Sequence, residues 1–263
     1  MVRFCSLFSG SSGNSLFLSV GSTKILIDAG ISAKRIIQAL NSIGENPSDL
    51  SAILVSHEHS DHTHGVGIMS RKFDIPIYAN VNTWSAMERD IGPVNVKNKL
   101  YFNTGNEFEI SDICVKPFSI PHDASEPVGF NFFTGKNKIT TVTDIGHITN
   151  KLLSYMDESE LILVESNHDV EMLRIGPYPW SLKKRIEGEN GHLSNEMAGK
   201  VVAYLAGRGT KRFLLGHLSK ENNFPLLAYQ TVLNTLTEKQ IVVGSDITLE
   251  VALRDKVSDV IEF

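Results

Sequence analysis

The sequence predicts an α/β protein in which strands are sandwiched between helices. Three observations predict this fold class: short apolar runs typical of buried strands, intervening segments with helical periodicity, and the absence of repeats, low-complexity tracts or a clear linker. A chain of 263 residues is long enough to bury a substantial core, as one large domain or two small ones. We expect a single domain over residues 1–263.

Six apolar runs end abruptly in polar residues. The runs start at Lys24, Ala52, Ile113, Ile139, Leu161 and Phe213, and the residues that end them are Asp28, Ser56-His57, Pro121-His122, Asp144, Glu165 and Gly216-His217. Short runs rich in Ile, Val and Leu are typical of buried strands. Because sites in layered α/β proteins collect where strands give way to loops, the polar residues at these ends are candidate site residues.

Three segments between the runs carry apolar residues at helical spacing. The first follows Ser32 and stops at Gly44, the second follows Ser194 and ends near Gly207, and the third opens at Pro225. Serine before a helix and proline in its first turn are common start signals, and glycine is a common stop signal. These segments are predicted to be helices.

Charge and cysteine content exclude several classes of protein. The net charge of −5 argues against a protein that coats nucleic acid by bulk charge, and two cysteines without CxxC spacing argue against a disulfide framework or a cysteine-based zinc site. No segment approaches the ~18 apolar residues of a membrane span, and the apolar stretch at the start is too short for a signal peptide. We therefore expect a cytoplasmic protein with no membrane partner.

The segment SHEHSDH, residues 56–62, follows one of the predicted strands directly. It places His57, His59, Asp61 and His62 within six positions. A turn with this spacing can direct all four side chains into one small volume, and imidazole and carboxylate groups are the usual ligands of zinc and neighbouring divalent metals. The segment therefore predicts a metal site rather than a solvated polar loop.

The motif HxHxDH resembles the signature of the metallo-β-lactamase fold superfamily. The remaining elements of that signature match residues that follow predicted strands, namely Asp28, His122, Asp144 and His217. The resemblance implies a four-layer αββα sandwich with a dinuclear metal site at one edge.

Carried over residue by residue, the resemblance implies two ligand sets. One metal takes His57, His59, His122 and Asp144, and the other takes Asp61, His62, Asp144 and His217. Asp28 is expected to orient ligand imidazoles. His64 and His147 lie close to ligands in sequence and are expected beside the ligands or at the surface rather than on the metal. The donors accept zinc readily, and manganese or iron as well.

Ligand identity narrows the chemistry. His59 stands where redox-active di-iron members carry glutamate, and Asp144 stands where many β-lactamases carry cysteine. Two metals bridged by a carboxylate suit in-line attack on phosphorus, with Asp61 helping to orient the nucleophile. The segment GHLSNEMA resembles the loop of RNase Z-type phosphodiesterases, which implies that His192 is a general acid and Glu165 its partner. The alternative is that His192 caps or orients the following helix.

The broadest resemblance is to the YycJ (WalJ) family of bacteria. It rests on FSGSSGNS at residues 8–15, HEHSDHTHG at 57–65, ESNHD at 165–169, GPYPWSLKKRI at 176–186, GHLSN at 191–195 and GHLSKENN at 216–223. That family is described as a 5′-to-3′ exonuclease on double-stranded DNA, which implies that the partner is the end of a DNA duplex.

Two segments and one histidine are candidates for binding substrate. In GPYPWSLKKRI, Trp180 precedes Lys183, Lys184 and Arg185, and aromatic and cationic groups suit an unpaired base with its phosphates; a solvated charged face is the alternative. The glycine-rich SGSSGNS can cradle a phosphate, or can simply connect two strands tightly. The candidates in these regions are Ser12, Asn14, His168, Trp180, Lys183, Lys184 and Arg185.

Two other functions remain open from the sequence. The first is RNase Z-like RNA processing or hydrolysis of a small phosphodiester or thioester. The second is a metal-bound regulatory scaffold in a bacterial two-component cell-wall pathway. The oligomeric state is not predicted.

Overall fold

The computed structural model describes all 263 residues. Contacts between residues divide the chain into two compact units. Unit 1 combines residues 1–119, 124–128 and 253–263, and unit 2 combines residues 120–123 and 129–252. The expectation of a single domain stays a prediction, and each unit is described by itself.

Fourteen strands and nine α-helices form. The strands are β1 (Val2–Phe8), β2 (Ser15–Val20), β3 (Thr23–Ile27), β4 (Ala52–Leu54), β5 (Ile77–Ala79), β6 (Lys99–Tyr101), β7 (Phe108–Ile110), β8 (Ile113–Ser119), β9 (Val128–Thr134), β10 (Asn137–Val142), β11 (Leu161–Glu165), β12 (Arg212–Gly216), β13 (Thr248–Val251) and β14 (Ile261–Glu262). The helices are α1 (Ala33–Ser42), α2 (Ser60–Thr63), α3 (Val66–Phe73), α4 (Val81–Ile91), α5 (Asn150–Met156), α6 (Val170–Ile175), α7 (Trp180–Glu187), α8 (Asn195–Ala206) and α9 (Pro225–Glu238). Short 3₁₀ turns lie at Pro47–Asp49 and Val96–Asn98.

Unit 1 contains a seven-stranded sheet in the order β14-β1-β2-β3-β4-β5-β6. Strands β14, β1, β2 and β3 pair antiparallel, and β3 to β6 pair parallel. The register pairs Ile27 of β3 with Leu54 of β4. Because parallel neighbours end at the same edge, Asp28 and the Ser56-His57 pair emerge together there.

The sheet of unit 1 is held by a buried apolar cluster. Ile53 and Ile77 of the sheet belong to it, as do Ile36 and Leu40 of α1 and Met69 of α3. Five such side chains contribute about 10 kcal/mol of transfer free energy at roughly 2 kcal/mol each. The cluster therefore anchors the strand ends that carry the candidate ligands.

In unit 2, five strands run in the order β13-β12-β11-β10-β9. Strand β9 pairs antiparallel with β10, and β10 to β13 pair parallel. The register pairs Val142 with Val164 and Glu165 with Gly216. Asp144, Glu165 and His217 consequently come to the same edge of the sheet.

Helices α8 and α9 pack closely against each other in unit 2. A Cβ added at Gly199 of α8 lies 2.7 Å from Oγ1 of Thr235 in α9, which is closer than real Cβ contacts come. Val202 of α8 and Val232 of α9 are fully buried. Glycine at position 199 therefore allows the two helices to pack.

The strand and helix predictions are confirmed. All six apolar runs form strands, and the segments after Ser32, after Ser194 and from Pro225 form α1, α8 and α9. Ser194 caps α8, because its side chain accepts a hydrogen bond from the backbone N–H of Met197. No helix combines the length and the apolar character needed to cross a bilayer.

Candidate metal ligands and catalytic pair

Unit 1 gathers one group of candidate ligands, which we call the Asp28 cluster: Asp28, Ser56, His57, His59, Asp61 and His62. His57 and His62 are buried, and their ring centroids lie 4.1 Å apart. Nε2 of His57 lies 3.1 Å from Nδ1 of His59, and Nε2 of His62 lies 3.6 Å from Oδ2 of Asp61. The structure thus brings the four predicted ligands of the SHEHSDH segment together.

Asp28 organises this cluster through one carboxylate. Its Oδ1 accepts a hydrogen bond from the N–H of Ser56, and its Oδ2 lies 2.8 Å from both Oγ of Ser56 and Nδ1 of His62. The same Ser56 hydroxyl lies 3.0 Å from Nδ1 of His57. A carboxylate that accepts from Nδ1 of His62 holds the proton there, which is how ligating histidines are commonly oriented. This contact agrees with the predicted role of Asp28.

A close backbone approach holds the cluster in place. A Cβ added at Gly30 lies 1.5 Å from the carbonyl oxygen of Asp61, so only glycine fits there. The N–H of Asn14 donates to the same carbonyl at 2.8 Å, and the N–H of Gly30 donates to the carbonyl of Asn14 at 2.7 Å. The loop after β1 and the loop after β3 therefore support the backbone at Asp61.

Unit 2 gathers a second group, which we call the Asp144 cluster: His122, Asp144, Glu165, His192 and His217. Donor atoms of Asp144, Glu165, His192 and His217 all lie within 4.8 Å of one another. Oδ1 of Asp144 is 3.3 Å from Nε2 of His217 and 3.7 Å from Nε2 of His122. Side chains of this type at such spacing can hold a divalent ion.

Three strand-end residues of the two clusters have left-handed backbones. The φ angles are 58° at Asp28, 61° at Asp144 and 54° at His217. For residues other than glycine this region costs about 1–3 kcal/mol and is often found at functional sites. Each of these residues directly follows, or nearly follows, a predicted strand, so the turn aims a polar side chain where the strand ends.

Glu165 and His192 form a hydrogen-bonded pair in unit 2. Oε1 of the fully buried Glu165 lies 2.8 Å from Nδ1 of His192. The other oxygen, Oε2, accepts hydrogen bonds from the N–H groups of Ile145 and Leu193 at 2.7 and 3.0 Å. This arrangement brings together the two residues that the sequence paired across 27 positions.

His192 does not cap α8, and the alternative that it orients this helix stays a prediction. The cap of α8 is Ser194, and the carboxylate of Glu165 binds the imidazole at Nδ1. The carboxylate at Nδ1 fixes the orientation of the ring and stabilises the protonated form of the imidazole. A histidine oriented in this way is suited to general acid catalysis.

Comparison with known proteins gives the family. A family model described as the beta-lactamase superfamily domain matches residues 23–218. The chain is 42% identical over 246 residues to a protein of Streptococcus pneumoniae strain R6 named exodeoxyribonuclease WalJ, covering 93% of this chain and 91% of that one. It is 41% identical over 243 residues to exodeoxyribonuclease YycJ of Bacillus anthracis, covering 92% of each. The chain belongs to the beta-lactamase superfamily and to its YycJ (WalJ) family.

Solved structures show the fold of this YycJ-family protein. The metallo-β-lactamase fold protein YhfI from Bacillus subtilis matches with a TM-score of 0.70 at 14% identity, over 98% of this chain and all of that one. Zn²⁺-bound PqqB from Methylobacterium extorquens matches with a TM-score of 0.66 at 17% identity, over 98% and 99%. The predicted αββα fold class is confirmed. Together with the two clusters, membership in this superfamily indicates that the protein uses divalent metal.

Asn14 and Lys183 are buried and have partners within the protein, so the structure gives no support to their predicted contacts with substrate. Asn14 is only 3% exposed, and its Nδ2 lies 3.0 Å from Nε2 of His62, so it contacts a candidate ligand rather than the solvent. Lys183 is buried, and its Nζ donates to the carbonyls of Arg174 and Gly176 at 2.8 and 2.7 Å. The ammonium group therefore stabilises the C-terminal end of α6, where cations are favoured.

The other substrate-binding candidates of α7 lie on the surface of unit 2. Trp180 is 63% exposed, and Nζ of Lys184 lies 5.6 Å from the centroid of its ring. Arg185 is exposed and forms an ion pair with Asp123, with Nη2 at 3.0 Å from Oδ1. Trp180 and Lys184 are therefore placed where a nucleic acid could contact them, whereas the guanidinium of Arg185 is already paired with the carboxylate of Asp123.

His168 lies in the interior of unit 2. It is 3% exposed and its Nδ1 has no hydrogen-bond partner. Burial lowers the pKa of His168 from 6.5 to about 4, although the nearby Glu165 carboxylate acts in the opposite direction. The imidazole is therefore neutral near pH 7, and it stays a candidate for a substrate contact.

The remaining histidines and Ser12 lie outside the two clusters. His64 and His147 are exposed, and Nδ1 of His147 lies 2.7 Å from the carbonyl of Glu189. Ser12 is exposed and lines a cavity of about 400 Å³ in unit 1, together with Arg35 and Asp61. Arg35, which lines this cavity, was not among the candidates predicted from the sequence.

Proposed function

We propose that the protein is a metal-dependent DNA exonuclease that hydrolyses phosphodiester bonds. The observation that carries this proposal is the pair formed by the buried Glu165 and the partly buried His192, since an alkoxide leaving group needs a proton donor. Two relatives that are 42% and 41% identical over more than nine-tenths of this chain carry the name exodeoxyribonuclease, which supports DNA as the substrate.

The Asp28 and Asp144 clusters are proposed to supply the ligands of two divalent ions. These ions are zinc, manganese or iron. His57, His59, Asp61 and His62 contribute from the first cluster, and His122, Asp144 and His217 contribute from the second. Their imidazole and carboxylate donors fit such ions, and Asp28 orients His62 as ligand shells commonly require. When bound, the ions activate a water molecule and neutralise charge on the phosphate.

The side chains of the protein then direct the proton movements. Asp61 orients the attacking water, whose hydroxyl adds to phosphorus while its proton leaves to the solvent. The bond from phosphorus to the leaving oxygen breaks, and His192 donates a proton from Nε2 to that oxygen. Glu165 stabilises the positive charge of the protonated imidazole and holds its ring in place.

The finer features of the substrate belong to the same proposal. The enzyme digests duplex DNA from an end in the 5′-to-3′ direction, in the cytoplasm and without a membrane partner. Trp180 and Lys184 contact the strand, since an exposed aromatic ring with a cation above it suits a base and its phosphate. Ser12 is proposed to contact the DNA as well.

An assay on end-labelled substrates tests this function. Metal-loaded wild type is compared with Asp61→Ala on 5′-phosphorylated duplex DNA, a precursor transfer RNA and a thioester, and metal content is measured in parallel. We expect hydrolysis of DNA by wild type and a loss of at least about 10²-fold in Asp61→Ala. Hydrolysis of the RNA or the thioester alone would favour the RNase Z-like or small-ester alternative. Metal-loaded wild type that hydrolyses none of the substrates would favour the regulatory scaffold.

A further inference from the structure

A second cavity lies in unit 2 and has a volume of about 350 Å³. The side chains of His192 and His168 line it, together with the apolar residues Ile148, Val170 and Met197. This volume is that of a site for one small molecule. Since the proposed general acid forms part of the wall, the occupant of this cavity lies against the residue that protonates the leaving group.

The charged groups of the wall favour an uncharged occupant over a phosphate. No lysine or arginine lines the cavity, and Glu187 adds a carboxylate to it. The cavity in unit 1 is different, because it is lined by Arg35 and several serine hydroxyls. The unit 2 cavity therefore suits an uncharged group with apolar faces and a polar edge.

We propose that this cavity binds the base and sugar of the nucleotide that leaves the cleaved bond. The proposal rests on the exonuclease function and names a part of its substrate site. In hydrolysis that leaves a 3′-hydroxyl on the released nucleotide, the hydroxyl of water bonds to phosphorus and the bond from phosphorus to the 3′ oxygen breaks. His192 gives its proton to that oxygen, so the released nucleoside must be next to His192.

Met197 and His168 would make different contacts with the nucleoside, the first by packing and the second by hydrogen bonding. Met197 lies in the first turn of α8 and is 38% exposed, so its flexible thioether can pack on the face of any base. His168 is buried and keeps one ring nitrogen without a partner in the protein. Its neutral imidazole can hydrogen-bond to the sugar or to a base edge without attracting a phosphate.

One consequence is that the enzyme releases nucleotides singly. The cavity has room for one nucleoside, and the apolar side chains of Ile148, Val170 and Met197 can pack against the face of any base. Such a site grips the terminal nucleotide by its flat faces and accepts all four bases. This is the behaviour that an exonuclease without sequence preference requires.

The test compares Met197→Ala with wild type on two duplexes. One carries an ordinary nucleotide at the 5′ end, and the other carries an abasic residue there. We expect wild type to cleave the abasic end roughly tenfold more slowly, because stacking contributes to binding of the leaving nucleotide. Met197→Ala is expected to cleave the ordinary end about as slowly as wild type cleaves the abasic one, and to discriminate little between the two. Tyr204→Ala is the matched control, since Tyr204 is a large exposed residue of the same helix that does not line the cavity.

A binding measurement separates this inference from the proposed function. Calorimetry with 2′-deoxyadenosine 5′-monophosphate and with 2-deoxyribose 5-phosphate should show tighter binding of the nucleotide to wild type, and Met197→Ala should remove the difference. Two results would together overturn the nucleoside site but leave the exonuclease function intact. The first is that wild type hydrolyses ordinary and abasic ends at equal rates, and the second is that Met197→Ala hydrolyses DNA as fast as wild type. If no DNA is hydrolysed at all, the exonuclease fails, and equal binding of the two ligands to wild type then overturns the site as well.

Discussion

The carboxylate of Glu165 and the imidazole of His192 lie 2.8 Å apart in unit 2, and the carboxylate is fully buried. Two backbone N–H groups donate to its second oxygen, so the carboxylate is held in place beside the histidine. The pair is therefore pre-organised for proton transfer, as in other active sites where a carboxylate orients a histidine.

His192→Ala and Glu165→Gln test the catalytic pair. Removal of a general acid costs about 10²–10⁴ in rate, so His192→Ala should retain its metal and lose turnover to that extent. Glu165→Gln should lose a smaller factor, and the double variant should be no slower than His192→Ala, because the two residues act as a unit. Single-turnover rates and metal content are measured for the three variants. Loss of metal from His192→Ala would assign His192 to the ligands instead.

Asp28→Asn tests the support of the ligands in unit 1. Asparagine tolerates the left-handed backbone at this position but lacks the charge that holds the proton on Nδ1 of His62. We expect metal affinity to fall about 10–100-fold, measured by competition with a chromophoric chelator. Asp49→Asn is the control, because Asp49 is exposed and bound to Lys24. Equal affinities in both variants would contradict the role of Asp28.

Lys183 and Lys184 should behave differently although they are neighbours. Lys183→Ala removes the donor to two carbonyls at the end of α6, so the free energy of unfolding should fall by about 1–3 kcal/mol. Lys184→Ala should leave stability unchanged, weaken DNA binding and reduce the salt dependence of binding by about one ion. Urea unfolding and salt titrations of DNA binding measure the two effects. An unchanged salt slope in Lys184→Ala would remove that residue from the DNA contacts.

Stability should fall in acid because of His168. The unfolded chain takes up a proton on this histidine below about pH 6.5, whereas the folded chain does so only near its pKa of about 4. The folded state therefore loses stability as the pH falls through this window, by at most about 3 kcal/mol. His168→Gln should reduce the loss, measured by urea unfolding of metal-free protein at pH 7 and pH 4.5. The same decrease in the variant and in wild type would show that other groups cause it.

The two cysteines should differ in reactivity. Burial raises the pKa of Cys5 to about 12, so its reactive thiolate is almost absent at pH 8. The pKa of Cys114 is also raised by burial, but this residue is only partly buried. We expect iodoacetamide to modify Cys114 first and Cys5 only after unfolding, as followed by peptide mass spectrometry with Cys114→Ser as a control. Rapid labelling of Cys5 in the native protein would mean that β1 opens readily.

The strand ends and the candidate ligands could be predicted from local sequence. Runs such as those before Asp28, Asp144 and His217 alternate with helical segments, and this periodicity reflects which faces are buried. The dense SHEHSDH segment and the pairing of Glu165 with His192 followed from motif resemblance. Asp28, Asp144, Glu165 and His217 lie at strand ends, whereas His192 lies in the connection between α7 and α8.

The burial and the partners of individual side chains could not be predicted from the sequence. Lys183, Lys184 and Arg185 look equivalent in sequence, yet a helix turns by 100° at each residue, so one of them faces the interior while its neighbours face the solvent. Asn14 and Ser56 acquired their roles because residues distant in sequence came to lie beside them, namely His62 and Asp28. Burial and partners of this kind depend on contacts between separate loops, which no local pattern encodes, and so they became visible only when the chain was folded.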